Sequence, residues 1–214
     1  MSGVKEVVMA TGQEQAGSRK QRSAETEQAL KDAARRLFAE RGYLNTKITD
    51  ITAAAGRSAG SFYNHFAGKE QLLQALLEDF AAEGDTSAGA GAHDPDFTKP
   101  QAVEFHIEQY WHYARRHWPV LRAVTQAALV DEDFARLTSR FTAGQLDEVV
   151  DHVDGFEAAG LRLPSTAEAS VAMMFLLVRA LLEAVEEGVL ALDDEQAVVG
   201  LTRFVYRGLT GRDY

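Results

Sequence analysis

Between residues 46 and 69 the chain gathers small hydroxyl, amide and basic side chains of the kind that bond base edges and phosphates. Ser58, Ala59, Gly60 and Ser61 follow one another, and none is bulky enough to hold a backbone away from a groove floor. A helix entering a major groove needs such residues in its first turns, with polar groups that match base edges. Asn64 adds a carboxamide able to pair bidentately with adenine. Tyr63, His65 and Lys69 follow at spacings that could reach phosphate oxygens beside the groove, and Thr46 and Lys47 stand where a second helix would begin and could bind another phosphate.

These residues need helices to present them. Leu30, Ala33, Ala34, Leu37 and Phe38 recur with helical period, with Ser23 as an N-cap and Gly42 beyond the last periodic residue. A short helix over about 47–55 follows, with Thr46 placed as its cap and Ile48, Ile51 and Ala55 on one face. Gly56 can take positive φ, which permits a sharp turn through Arg57 before Ser58 caps a third helix to about His65. Phe62 and Phe66 read as core rather than base contacts. Two short helices about a tight glycine turn are a helix-turn-helix. A fourth helix, 69–82, carries Leu72, Leu73, Leu76, Leu77 and Phe80.

The span Leu37 to Leu77 resembles the N-terminal domain of the TetR family of bacterial repressors. The matching positions are Phe38, Gly42, Thr46, Ile51-Thr52-Ala53-Ala54-Ala55-Gly56-Arg57-Ser58, Phe62-Tyr63, His65-Phe66 and Lys69. The resemblance implies DNA-backbone anchoring by Tyr63, His65, Lys69, Thr46 and Lys47, an effector site in the later helices, and repression of transcription. Where the family often has Lys or Arg at position 59 and Thr at 61, this chain has Ala59 and Ser61. Arg57 and the basic cluster Arg19, Lys20, Arg22 are expected to compensate, the latter from an arm entering the minor groove.

Composition sets the bounds. With 214 residues, 46% of them apolar, the chain can bury a sizeable core. It has no cysteine, hence no disulfide, thiolate metal site or cysteine nucleophile. The apolar run Val171 to Leu182 is interrupted by Arg179 and too short for a bilayer, so a cytoplasmic protein without membrane association is expected. A net charge of -10 argues against nucleic acid until it is divided. Residues 1–70 carry eleven Lys or Arg and eight Asp or Glu, a balance of +3; the remainder carries eleven against twenty-four, a balance of -13. A basic reader on an acidic body is the reading.

The expected fold class is all-α, with a flexible basic arm (1–23), a helix-turn-helix domain (24–68) and an effector-binding and dimerisation domain (69–214). Residues 83–99, with several Gly and Pro, read as a loop or joint. Helices are expected at about 101–117, 119–129, 132–158, 166–187 and 194–210. The aromatics between 101 and 158 suggest an apolar pocket with a few polar handles. Phe105, Tyr110, Trp111, Trp118, Phe141 and Met174 are the candidate lining, for an apolar or aromatic effector. His106, His112 and His117, with Glu104 and Glu108, miss i, i+4 spacing, so no metal is expected. Nor is any cofactor or enzymatic activity, since no nucleophile elbow, phosphate loop or His-Glu-x-x-His helix is present. The apolar faces of helices 166–187 and 194–210 suggest a homodimer, which would place two recognition helices on a palindromic operator. A DNA-inactive helix-turn-helix on a small-molecule-binding helical protein is the alternative.

Overall fold

The computed structural model describes residues 3–89 and 94–214, with side chains described for 19–84 and 94–214. The described residues form helices and no strand: α1 (Gly3–Arg41), α2 (Ile48–Ala55), α3 (Ala59–Tyr63), α4 (Lys69–Gly89), α5 (Pro100–Arg116), α6 (Trp118–Ala128), α7 (Glu132–Asp147), a 3-10 turn (Val150–Val153), α8 (Ala167–Glu186) and α9 (Asp194–Thr210). Among the described residues no helix is long and apolar enough to cross a membrane.

The chain divides into two compact units, one of residues up to 79 together with 119–130, the other of 80–118 and 131–214. This differs from the boundary expected at 68/69, because the first half of α4 and nearly all of α6 pack within the first unit. There Leu30, Ala33, Ala34 and Phe38 of α1 share a core with Ile51 of α2, Phe62 of α3 and Leu72, Leu73 and Leu76 of α4. α6 adds Val120, Ala123 and Ala127 to the buried apolar set. On the rim, Asp79 takes Lys31 at 2.9 Å and Arg35 at 2.7 Å, tying α4 to α1. Burial works against the charge on Lys31, but the Asp79 hydrogen bond and the Asp79 and Glu27 charges outweigh it and raise the pKa.

In the second unit α5 buries Ala102, Val103, Ile107, Trp111 and Ala114 along one stripe. Trp111 donates its indole N–H to Asp194 of α9 at 2.7 Å, and Arg115 pairs with the same carboxylate and with Glu186 of α8 at 2.9 Å. The Trp111 hydrogen bond, with Arg115 next, holds the Asp194 carboxyl below its ordinary pKa.

Three expectations are corrected. α1 runs from Gly3, so Ser23 is interior to a helix rather than its cap, and the stretch read as a flexible arm is helical from Gly3. No proline interrupts residues 3–41, and Gln21 to Glu25 and Thr26 to Arg22 close i, i+4 hydrogen bonds across the expected start. α4 likewise passes through Gly84 to Gly89. A Cβ at Gly84 would lie 3.4 Å from the Tyr113 ring, an ordinary contact, so the glycine neither ends the helix nor is demanded by packing there. The expected helix 132–158 stops at Asp147 and continues as a 3-10 turn. The β-branched Val149, Val150 and Val153 favour the helix weakly, and His152 gives its carbonyl to the Phe97 amide at 3.0 Å.

Gly56 has φ +63 and nothing within 4 Å of an added Cβ, so its role is conformational. Gly56→Ala is expected to cost about 1 kcal/mol and to lower the thermal midpoint by a few degrees in calorimetry, with helix content by circular dichroism unchanged.

Candidate nucleic-acid interface

The site is built on the turn at Gly56. Its left-handed conformation closes α2, with the Gly56 amide donating to Ala53 and the Arg57 amide to Thr52. The chain then reverses into Ser58, extended at φ -82 and ψ 158, whose Oγ accepts from the Ser61 amide at 3.1 Å. That cap starts α3, only five residues long. Five residues cannot hold a helix by propensity, so packing must do it. Phe62 is fully buried, with ring centroids 5.6 Å from Phe66 and 5.5 Å from Tyr63.

With Phe62 inside, the opposite face points outward. Ser58, Ala59, Gly60 and Asn64 are exposed, Ser61 is half-buried, and Tyr63 is 59% exposed although aromatic. A Cβ at Gly60 would meet nothing closer than the Ser58 Oγ at 3.9 Å, so packing does not demand glycine there. Lys47 and Arg57 are exposed on either side of α2. These eight residues form one solvent-facing set of small, amide, phenol and basic groups.

Three predicted contacts have partners within the chain. Thr46 is buried, its hydroxyl donating to the Gly42 carbonyl at 2.7 Å, and Lys47 takes the N-cap position of α2. The Asp50 carboxylate accepts the Lys47 amide at 3.1 Å, so the chain's own acid occupies the helix end where a phosphate was expected. His65 is largely buried, its Nδ1 3.7 Å from Glu27 of α1. Lys69 donates from Nζ to the carbonyls of Tyr43 at 2.7 Å and Thr46 at 2.9 Å, and lies 4.0 Å over the Tyr43 ring. Burial lowers its pKa, with the Glu70 charge opposing.

Sequence reasoning did not find Tyr43 or Gln126. The Tyr43 amide donates to Gln126 Oε1 of α6 at 2.8 Å, and its hydroxyl donates to Glu70 at 2.9 Å. Gly42, with φ +78, leaves room for that carboxamide, since a Cβ would lie 3.0 Å from Gln126 Oε1. The glycine before an aromatic was visible in the sequence; its partner 83 residues later was not.

The predicted pocket residues differ in burial. Trp111, Trp118 and Met174 are core, whereas Phe105, Tyr110 and Phe141 are half-buried. Tyr110 meets Phe175 edge-on at 5.1 Å, and burial raises its phenol pKa against the charge of Arg179. A cleft of about 400 Å³ within the second unit is lined instead by Glu104, Glu108 and His112 of α5 and by Asp194, Glu195 and Val198 of α9. None of the six candidates lines it. Among the described residues no group of three His, Cys, Asp or Glu is placed to hold a metal.

The sequence model of bacterial regulatory proteins of the tetR family matches residues 30–76. The chain is 43% identical over 56 residues to the HTH-type transcriptional repressor DhaR of Mycobacterium sp. (strain GP1), covering 26% of this chain and 28% of that one. It is 35% identical over 77 residues to the HTH-type transcriptional regulator TtgR of Pseudomonas putida, covering 36% and 37%. The matched segments thus span about a third or less of these curated relatives. Among solved structures, a TetR-family regulator from Rhodococcus sp. superposes with TM-score 0.70 at 20% identity, over 85% of this chain and 99% of that one. The regulator FadR of Bacillus subtilis, in complex with stearoyl-CoA, does so with TM-score 0.66 at 17% identity, over 85% and 98%. At these identities the superpositions establish the fold.

Lys69→Met keeps most of the stem but leaves two carbonyls without their donor. The expected loss is about 2 kcal/mol, read as a lower urea midpoint with an unchanged slope. An unchanged midpoint would show that the ammonium is not a structural clamp.

Proposed function

We propose that this chain, whose first domain is the DNA-binding domain of the TetR family, is a transcriptional repressor that reads one operator half-site with the outer face of α3. The observation that carries the reading is that face itself. Phe62 alone fixes α3 in the core, while Ser58, Ala59, Gly60, Tyr63 and Asn64 are all turned to solvent. Asn64 and the serines supply base-edge hydrogen bonds, and Tyr63, Lys47 and Arg57 supply phosphate contacts. Lys69, His65 and Thr46 act one step back, by holding the helices at their angle. The protein acts by binding in the cytoplasm and carries out no reaction.

Two copies acting together double the few contacts that so short a helix can make. On α8 and α9, Leu176 is 62% and Phe204 68% exposed, and Met173 is exposed beside them. An apolar set of this kind on two neighbouring helices supports a homodimer through 166–187 and 194–210. The reader and the dimer helices then belong to different units, which suits a palindromic operator.

Release is assigned to a small apolar or aromatic molecule bound in the second unit, with Tyr110, Phe105 and Phe141 as partly accessible aromatic contacts. Ligand shifts the population toward a dimer whose recognition helices are wrongly spaced for the operator. α4 supports this role because it is one unbroken helix whose residues divide between the units at 79/80. By linkage, operator DNA weakens ligand binding by the same factor.

Tyr63→Ala is expected to leave the fold intact and to weaken binding to the gene's own upstream DNA about tenfold or more, with the salt slope unchanged because a neutral phenol displaces no counterion. Wild-type protein giving no competitor-resistant band in a gel shift would favour the DNA-inactive reading. Leu176→Arg with Phe204→Arg is expected to sediment as a monomer; a dimer surviving both changes would place the interface elsewhere.

A further inference from the structure

The helical start of α1 puts three cations somewhere a loose arm would not. Residues 19–25 are exposed on every side, and among the described side chains of α1 the first fully buried one is Leu30. The core therefore does not need this stretch, yet it carries Arg19, Lys20 and Arg22. At 3.6 residues per turn the three spread over an arc of about 160° on one side of the helix.

Its position along α1 can be read from contacts within the first unit. Arg41 reaches Asp50 of α2 at 3.4 Å, Lys31 and Arg35 reach Asp79 of α4, and Glu27 lies 3.7 Å from His65 just past the end of α3. Continuing toward the N-terminus, Arg22 stands about 7.5 Å and Arg19 about 12 Å beyond the level of Glu27, at 1.5 Å per residue. A major groove is about 12 Å wide. A rise of that length is comparable to the half-width to full width of the groove, the reach that a contact with the flanking backbone requires.

Resting on the DNA-binding reading above, we infer that the N-terminal stretch of α1 is a helical basic spur in which Arg19, Lys20 and Arg22 grip the sugar-phosphate backbone outside the half-site. Such contacts carry no sequence information. They add affinity and salt dependence equally on any duplex, and they offset the loss of a basic residue at position 59.

The test is fluorescence anisotropy with the full chain on its upstream duplex and on a random duplex, between roughly 50 and 200 mM salt. Combined Arg19→Ala, Lys20→Ala and Arg22→Ala is expected to reduce the slope of log affinity against log salt by about 2 to 3 per bound chain on both duplexes. The ratio of affinities for the two should stay constant. Ser23→Pro keeps every charge but breaks the helix at the root of the spur, well before Leu30, and is expected to reduce the slope similarly. A triple variant with the wild-type slope overturns the inference. So does a Ser23→Pro variant that keeps the slope when the triple variant loses it, since a loose arm would then suffice. Wild-type protein binding neither duplex would instead overturn the DNA-binding reading on which the inference rests.

Discussion

One ammonium group holds the first unit in register. Lys69 Nζ bonds two backbone carbonyls of the α1–α2 turn while resting on the Tyr43 ring, so the start of α4 is fastened to the segment that sets the start of α2. Tyr43 extends the same fastening, giving its amide to Gln126 and its hydroxyl to Glu70. A five-residue helix has no rigidity of its own. The angle at which α3 faces solvent is therefore set by this cluster and by Phe62 beneath it. Small changes here move the reading residues together.

This arrangement separates holding from reading. Residues that hold are turned inward: Lys69, Tyr43, Thr46, His65 and Phe62. Those proposed to meet base edges are short and turned outward, and the exposed glycine at 60 meets no packing requirement. The charge follows the same division. The basic excess lies in residues 1–70, and the acidic excess in the rest of the chain discourages the second unit from binding nucleic acid nonspecifically.

Local rules made much of this legible in the sequence. Gly56, the Ser58 cap and the buried pair Phe62 and Phe66 follow from spacing within a dozen residues, and the structure has them where spacing put them. Most later helices were legible from their helical period, and in the structure Pro100, Thr166, Asp193 and Gly211 stand at their ends. Less legible was anything decided at a distance. The acceptors of Lys69 lie 23 and 26 residues earlier. The indole partner of Trp111, Asp194, lies 83 residues later. Helical period shows that a face is covered, but not whether protein or a ligand covers it. At the start of α1 a polar segment without apolar period suggests an unstructured arm, although it contains no proline to forbid a helix.

The central claim is that α3 reads a half-site and that two copies do so together. Hydroxyl-radical footprinting of the purified full-length protein on its own upstream DNA tests this most directly. The account predicts two protected patches related by twofold symmetry, with centres about one helical turn of DNA apart or a multiple of it. A single unpaired patch, or uniform protection without sequence preference, would contradict it.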